Sequence, residues 1–61
     1  MKASELTKLL KSNGWQEVRQ SGSHLILKHE ENPNNLSVPI HGKKDVPIGT
    51  LNDLLKKAGL K

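Results

Sequence analysis

The sequence predicts an α+β domain of order α-β-β-β-α, with two helices covering one face of a three-stranded antiparallel sheet. Leucine-rich stretches near both ends of the chain have the helical spacing of apolar residues, and the segments between them alternate apolar and polar residues as strands do. The 61 residues are expected to form a single domain, 1–61, near the lower size limit for folding without disulfides or metals. The chain has no cysteine, which excludes disulfides and thiolate metal sites.

The first helix is predicted over residues 3–13. Its apolar face has leucines at the i, i+3, i+4 spacing of one helix side: Leu6, Leu9 and Leu10. Asn13-Gly14 is predicted to end this helix, because glycine readily takes the positive φ of a helix C-terminus. Trp15, directly after this stop, is predicted to fill the corner between helix and sheet rather than to stack on a base.

The first two strands are predicted to form a hairpin around Ser21-Gly22, because glycine takes the positive φ of a tight turn at no steric cost. The strand before the turn covers residues 15–20, with Val18 as its inward residue. The strand after the turn, residues 23–30, alternates with a period of two. Its inward residues are Leu25 and Leu27, and its outward residues are His24, Ile26 and Lys28.

The rest of the chain is predicted to add a third strand and a second helix. Asn32-Pro33-Asn34-Asn35 is interpreted as a turn, after which Leu36, Val38 and Ile40 alternate as in a strand. Pro39 cannot donate a ladder hydrogen bond, so this strand is predicted to lie at an edge. The second helix is predicted over residues 47–58 and ends at Gly59. Its apolar stripe is Ile48, Leu51, Leu54, Leu55 and Ala58.

Charge and composition limit the classes of function. Ten Lys and Arg against six Asp and Glu give a formal net charge of +4, which favours polyanions such as nucleic acid but also occurs on ordinary solvated surfaces. No apolar run approaches a membrane span or a secretory signal, so a soluble, cytoplasmic protein with no membrane partner is expected. His29 is predicted to point away from His24, and His41, at the end of the third strand, is predicted either to lie near the path of a bound RNA or to cap the end of the strand. The spacing of the histidines predicts no metal site.

The most informative motif is Gly22-Ser23-His24, which places an imidazole where a strand begins. A side chain there is mounted on a rigid strand and stays open to solvent. Because the unperturbed pKa of histidine is about 6.5, an imidazole can accept and donate protons near neutral pH. With cationic side chains nearby, this is the minimum needed to cleave RNA. The alternative is that Gly22 serves only the turn and that His24 is a half-buried polar strand residue.

Several segments together resemble one family over essentially the whole chain. The chain is similar to the HicA toxins, small bacterial mRNA interferases of type II toxin–antitoxin systems. The resemblance implies a fold like that of a double-stranded-RNA-binding domain, with His24 as the catalytic histidine. One departure is that Leu25-Ile26-Leu27 contains no Phe or Tyr to contact a base. The segments that carry the resemblance are the lysine- and leucine-containing helix ending in Asn13-Gly14-Trp15, Arg19-Gln20-Ser21-Gly22-Ser23-His24, Val38-Pro39-Ile40-His41, and the stretch from Pro47-Ile48-Gly49-Thr50-Leu51 to Lys57-Ala58-Gly59-Leu60.

The resemblance implies an endoribonuclease that needs no cofactor. His24 is the candidate general base, or the general acid for the departing 5′-oxygen. Without Phe or Tyr in the chain, contacts are expected mainly to phosphate and sugar, with weak sequence preference. The candidate RNA-binding residues are Gly22, Ser23 and Lys28 close to the histidine, and Arg19, Lys43 and Lys44 as further phosphate anchors.

The resemblance also implies a HicB-like antitoxin protein that binds over the active site. Ile26 is an apolar residue on the face predicted to be open, which suits a surface that a partner buries. The predicted interface is His24, Ile26 and Lys28. Two other classes stay open: a non-catalytic small RNA-binding module in which His24 is an ordinary surface residue, and an interaction protein whose open sheet face is covered by a partner.

Overall fold

A computed structural model describes residues 1–40, 42 and 44–61. The three strands form one antiparallel sheet in the order β1-β2-β3, which places β3 at an edge as predicted from Pro39. The order of the elements and the α+β class are confirmed. The elements are α1 (Ala3–Ser12), β1 (Trp15–Ser21), β2 (His24–His29), β3 (Asn32–Pro39) and α2 (Ile48–Lys57).

The core lies between the helices and one face of the sheet. α1 packs against β1 and β3, and α2 packs against β3, so both helices cover the same face. Burying one Leu or Val side chain contributes about 1.5–3 kcal/mol, so leucines supply most of the stability of so small a domain. Trp15 is 2% exposed, which confirms that it fills the corner between helix and sheet. The buried residues are Ala3, Leu6, Leu10, Trp15, Leu25, Leu27, Leu36, Val38, Val46 and Leu54.

A two-residue loop joins β1 to β2. Ser21 pairs with His24, so only Gly22 and Ser23 lie between the paired ends of the strands. Gly22 has φ +59, and no described residue other than glycine has positive φ. Positive φ at the first loop position alone is the pattern of a type II′ turn, whose twist matches that of the flanking strands. The hairpin predicted around Ser21-Gly22 is therefore confirmed, and it holds His24 on the first residue of β2.

A β-bulge in β1 makes one sequence prediction wrong. Glu17 pairs with Leu27 and Arg19 pairs with Ile26, so Val18 is an extra residue with no partner on β2. Val18 was predicted to point inward, but 52% of its surface is exposed. Strict alternation assumes an unbroken ladder, and the inserted residue reverses the sides of everything after it in β1.

The second turn also differs from the prediction. His29 pairs with Asn32, so Glu30 and Glu31 form the turn and β3 begins directly after them, at Asn32. The asparagine-rich segment is therefore part of an edge strand, a position at which a proline such as Pro33 is tolerated. Asn32 is held by its side chain, whose Nδ2 donates to the Lys57 carbonyl at 2.8 Å. This long-range bond joins the start of β3 to the end of α2, a contact that local sequence patterns do not encode.

Helix α2 matches its predicted range to within one residue at each end, with one correction. Ile48 was placed in the apolar stripe, but it is the first residue of the helix and is 76% exposed. The remaining stripe packs on the core as predicted. Gly59 ends the helix with φ +77. Among the described residues, no helix combines the length and the hydropathy needed to cross a membrane.

Candidate functional site

The face of the sheet opposite the helices carries the candidate site. Residues directly opposite one another in an antiparallel pair point to the same side, so the register defines which side chains share this face. The row at the hairpin consists of Ser21, His24 and Pro39, and the next row of Arg19, Ile26 and Ser37. Gln16 and Lys28 pair further along. We call the surface formed by these eight residues the open face.

His24 is exposed at the start of the central strand of the sheet. No hydrogen bond joins its ring to any other residue that the structure describes, so both ring nitrogens can exchange protons with a bound molecule. The backbone beneath the ring is held on both sides, by Ser21 of β1 and by Pro39 of β3. The arrangement combines a fixed backbone position with a chemically available imidazole.

The hairpin loop presents hydrogen-bond donors next to His24. The carbonyl of Gly22 accepts from Gln20 Nε2 at 3.2 Å, and the carbonyl of Ser23 accepts from the Ile40 N–H at 2.6 Å. Both carbonyls of the loop are therefore engaged. Within the described part of the chain, the N–H groups of Gly22 and Ser23 and the Ser23 hydroxyl have no such partner. They can donate to an anion placed beside the imidazole.

Two cations lie on the open face, at different distances from His24. Lys28 shares the face, as predicted, but it stands four residues further along β2, about 13 Å away at the usual rise of a strand. Arg19 pairs with Ile26 and is a diagonal neighbour of His24, a separation of about 7–8 Å that a long side chain can span. The structure therefore brings Arg19, and not Lys28, close to the imidazole.

The carboxylates of β1 and of the second turn lie away from the hairpin. Glu17 Oε1 forms an ion pair with Lys11 Nζ of α1 at 2.8 Å, on the helix side of the sheet. Glu30 lines a shallow depression with Gln16 and Lys28, at the end of the open face remote from the turn. The cation nearest to His24 on the open face, Arg19, therefore has neither of these carboxylates beside it.

Lys44, one of the two predicted cations before α2, lies away from the open face. Lys44 is exposed in the segment where Asp45 pairs with Lys2, and the Val46 N–H donates to the Met1 carbonyl at 2.8 Å. Lys44 therefore lies beside the start of α1 and is not part of the open face. Lys43 and His41 are outside the described residues.

His29 has a structural role in the fold. Its ring lies edge-on to Trp15 with centroids 5.2 Å apart. Its Nδ1 accepts the Glu31 N–H at 3.0 Å, so the ring proton is on Nε2, which donates to the Asn13 carbonyl at 3.0 Å. His29 thus joins the end of α1 to the second turn, and it lies on the side of the sheet away from His24, as predicted. No group of three or more His, Asp or Glu residues within the described ranges is placed to hold a metal.

The concave surface on the helix side does not contain the candidate site. A groove of about 420 Å³ between α1 and the sheet has Ala3, Thr7, Leu25 and Ile40 among its lining residues. His24 is on the other side of the sheet, on a shallow strand surface. Small-molecule sites are usually enclosed, whereas an exposed and cationic strand face suits an extended polyanion.

Sequence reasoning missed Ser21 as a residue of the site. It lies directly opposite His24, with Cβ atoms about 4.5–5.5 Å apart as in any such pair. The signal was available, since a two-residue hairpin loop pairs the residues that flank it. Strict alternation along β1 would instead have placed Ser21 on the helix side together with Trp15.

Comparison with known proteins identifies one family. The family model described as HicA toxin of bacterial toxin-antitoxin matches residues 3–60. The match spans all five elements of the fold, including the hairpin with His24. The comparison with curated proteins gives no match.

Proposed function

Because the chain belongs to the HicA toxin family of bacterial toxin–antitoxin systems, we propose that it acts as an endoribonuclease on mRNA, with His24 as its one catalytic histidine. The observation that carries the proposal is the geometry of His24. An unpartnered imidazole stands on a fixed backbone, next to free loop N–H groups and a cationic side chain. Each of these features has a separate task in the cleavage of a phosphodiester.

The chemistry uses the nucleophile that RNA itself provides. His24 takes the proton of a ribose 2′-hydroxyl while the 2′-oxygen attacks the adjacent phosphorus. The bond from phosphorus to the 5′-oxygen breaks, and the 5′-oxygen leaves with the electron pair of that bond and takes a proton from water. The products are a 2′,3′-cyclic phosphate and a 5′-hydroxyl. In the reverse assignment, water takes the proton of the 2′-hydroxyl and protonated His24 gives its proton to the departing 5′-oxygen. General acid–base help contributes about 10²–10⁴-fold, so a site with one such group predicts a slow nuclease.

The remaining site residues bind the RNA strand. The N–H groups of Gly22 and Ser23 and the Ser23 hydroxyl donate to oxygens of the reacting phosphate. The other contacts are to the backbone, because the chain has no Phe or Tyr on which bases could stack. The cations that attract the backbone are Arg19 and Lys28 on the open face, and Lys43 and Lys44 before α2.

A cleavage assay on purified protein tests the proposal. The wild-type chain should cut an RNA oligonucleotide and leave a cyclic phosphate, whereas His24→Ala should bind the same RNA without cutting it. An RNA with a single 2′-deoxyribose should resist cleavage at that position only, because the nucleophile is missing there. His29→Ala and His41→Ala should keep at least part of the activity. A folded His24→Ala protein that still degrades RNA would contradict the role of the histidine.

The same face is proposed to bind a HicB-like antitoxin. Ile26 is half-buried at the centre of the open face, between the rows that carry His24 and Lys28. An acidic partner with an apolar residue for Ile26 would complement this surface and prevent RNA from reaching the histidine. In the complex with the antitoxin, β2 should gain protection from hydrogen exchange. A footprint confined to the two helices would contradict this interface.

One observation favours a second candidate function, a non-catalytic small RNA-binding module. His24 has no carboxylate among the described residues to orient its ring, which a histidine base often has. Under this alternative, wild type and His24→Ala bind RNA alike and neither cleaves it. The oligonucleotide assay above therefore separates the two functions.

A further inference from the structure

We propose that Arg19 acts at the same phosphate as His24, and that the bulge at Val18 places it there. This inference rests on the proposed ribonuclease function. It assigns to one cation a role in the reaction itself, beyond general attraction of the RNA backbone. The starting observation is that the register changes in β1 between Glu17 and Arg19, immediately before the site.

The bulge decides which side chains of β1 share a face with His24. Trp15 and Glu17 are on the helix side, where Trp15 is buried and Glu17 pairs with Lys11. In an unbroken strand, Arg19 would be on that side too. The extra residue reverses the alternation, so Arg19 instead pairs with Ile26 on the open face.

The inserted residue is not part of the hydrophobic core. Val18 is 52% exposed in a chain in which only a third of the residues are hydrophobic. Bulges are over-represented at sheet edges, where β1 lies, and next to active sites, where they redirect a side chain. The side chain redirected towards His24 is that of Arg19.

The position and chemistry of Arg19 suit a phosphate in reaction. It is a diagonal neighbour of His24, within about 7–8 Å, and it forms no ion pair with any described carboxylate. A guanidinium donates two parallel hydrogen bonds to phosphate oxygens, and it offsets the negative charge that develops there as the 2′-oxygen attacks. Lys28, about 13 Å from His24 along the strand, reaches only a different phosphate.

The test measures single-turnover cleavage at saturating RNA, which separates the chemical step from binding. Arg19→Ala should cut about 100-fold more slowly even when RNA saturates the protein, because a charge-stabilising donor is missing. Lys28→Ala should instead raise the RNA concentration needed for half-maximal rate. Lys8→Ala, which removes an exposed charge from α1, is the matched control and should behave as wild type.

Two further measurements show that the guanidinium and its position matter. Added guanidinium ion should partly restore the rate of Arg19→Ala, an effect that a loss of folding would not show. The double variant Val18→Arg with Arg19→Val keeps composition and net charge but moves the cation to the bulge position, and it should be as slow as Arg19→Ala. A full rate in this double variant would overturn the role of the bulge.

The possible outcomes separate the role of Arg19 from the proposed ribonuclease activity on which it rests. If wild type cleaves, His24→Ala does not, and Arg19→Ala keeps the full rate at saturating RNA, the inference is wrong and the ribonuclease proposal stands. If the wild-type chain binds RNA without cleaving it, the ribonuclease proposal fails and the role of Arg19 fails with it.

Discussion

Two histidines of the same strand show how surroundings decide what a residue does. His24 and His29 lie at the two ends of β2 and on opposite sides of the sheet. Both ring nitrogens of His29 are engaged by backbone groups, and its ring contacts Trp15. The ring of His24 has no bond to another described residue. The first ring is therefore a structural link between elements, and the second is available for chemistry.

His24→Ala should leave the fold intact. The side chain is exposed and its removal leaves no cavity, so the free energy of unfolding should change by at most about 0.5 kcal/mol. Denaturant unfolding measures this change, and the same preparation should fail to cleave RNA or inhibit growth. A large loss of stability would mean that the missing activity reports unfolding instead of chemistry.

His29→Ala should show the opposite behaviour. It removes two hydrogen bonds of 3.0 Å and the ring contact with Trp15, so the free energy of unfolding should fall by about 1–3 kcal/mol. Below its unfolding temperature the variant should still cleave RNA, because His29 lies on the other side of the sheet. Thermal unfolding followed by Trp15 fluorescence reports the change. A stability equal to that of wild type would remove the structural role assigned to this ring.

At the scale of the elements, the β1–β2 hairpin contains two backbone features, a turn and a bulge, that determine the direction of the side chains near the site. The type II′ turn at Gly22 places His24 opposite Ser21, and the bulge at Val18 turns Arg19 to the same face. Both features lie in a short stretch of the hairpin, while the helices on the other face supply the core. The hairpin therefore holds the residues of the candidate site, while the packing of the leucines stabilises the fold.

A matched pair of glycine substitutions tests the turn. Gly22 has φ +59, so Gly22→Ala should destabilise the protein by more than about 1 kcal/mol although a Cβ there meets no atom within 4 Å. Gly49 lies inside α2 without positive φ and also has open space around it, so Gly49→Ala should stabilise by about 0.4–1 kcal/mol. Unfolding by urea measures both. Equal effects of the two substitutions would contradict the turn geometry.

At the scale of the whole molecule, charge and shape favour an extended polyanion. The formal net charge is +4, and Arg19 and Lys28 lie on a shallow face that the helices leave uncovered. Lys44, before α2, lies beside the start of α1, away from the hairpin. An RNA strand that contacts both regions would have to pass around the edge of the sheet.

RNA binding should therefore depend strongly on salt and weakly on sequence. Each phosphate contact releases counterions, so affinity should fall steeply between low and physiological ionic strength. Lys28→Ala and the double variant Lys43→Ala with Lys44→Ala should weaken binding to unrelated RNA sequences by similar factors. Titrations at several salt concentrations measure the slope. An affinity that barely changes with salt would exclude the basic surface as the binding site.

The features of this protein that depend on residues close together in the chain could be predicted from its sequence. Helical spacing and two-residue alternation depend only on near neighbours, so they gave the order of the elements, most of the core leucines and the face that carries His24 correctly, whereas Leu9 of the predicted stripe lies outside the core. Glycine in a tight turn is an equally local requirement, and it predicted the hairpin at Gly22. The identity of the candidate histidine followed from this local context and from the family resemblance.

Only the tertiary structure decided which cation stands beside that histidine. The bulge at Val18, which brings Arg19 to the open face, appears in the register between two strands and not in the pattern of either one. The position of the turn at Glu30-Glu31 and the exposure of Ile48 likewise depend on how segments that are distant in the chain pair and pack. Cross-strand register and packing join residues that are distant in the chain, and a periodicity read over a short window contains no information about them.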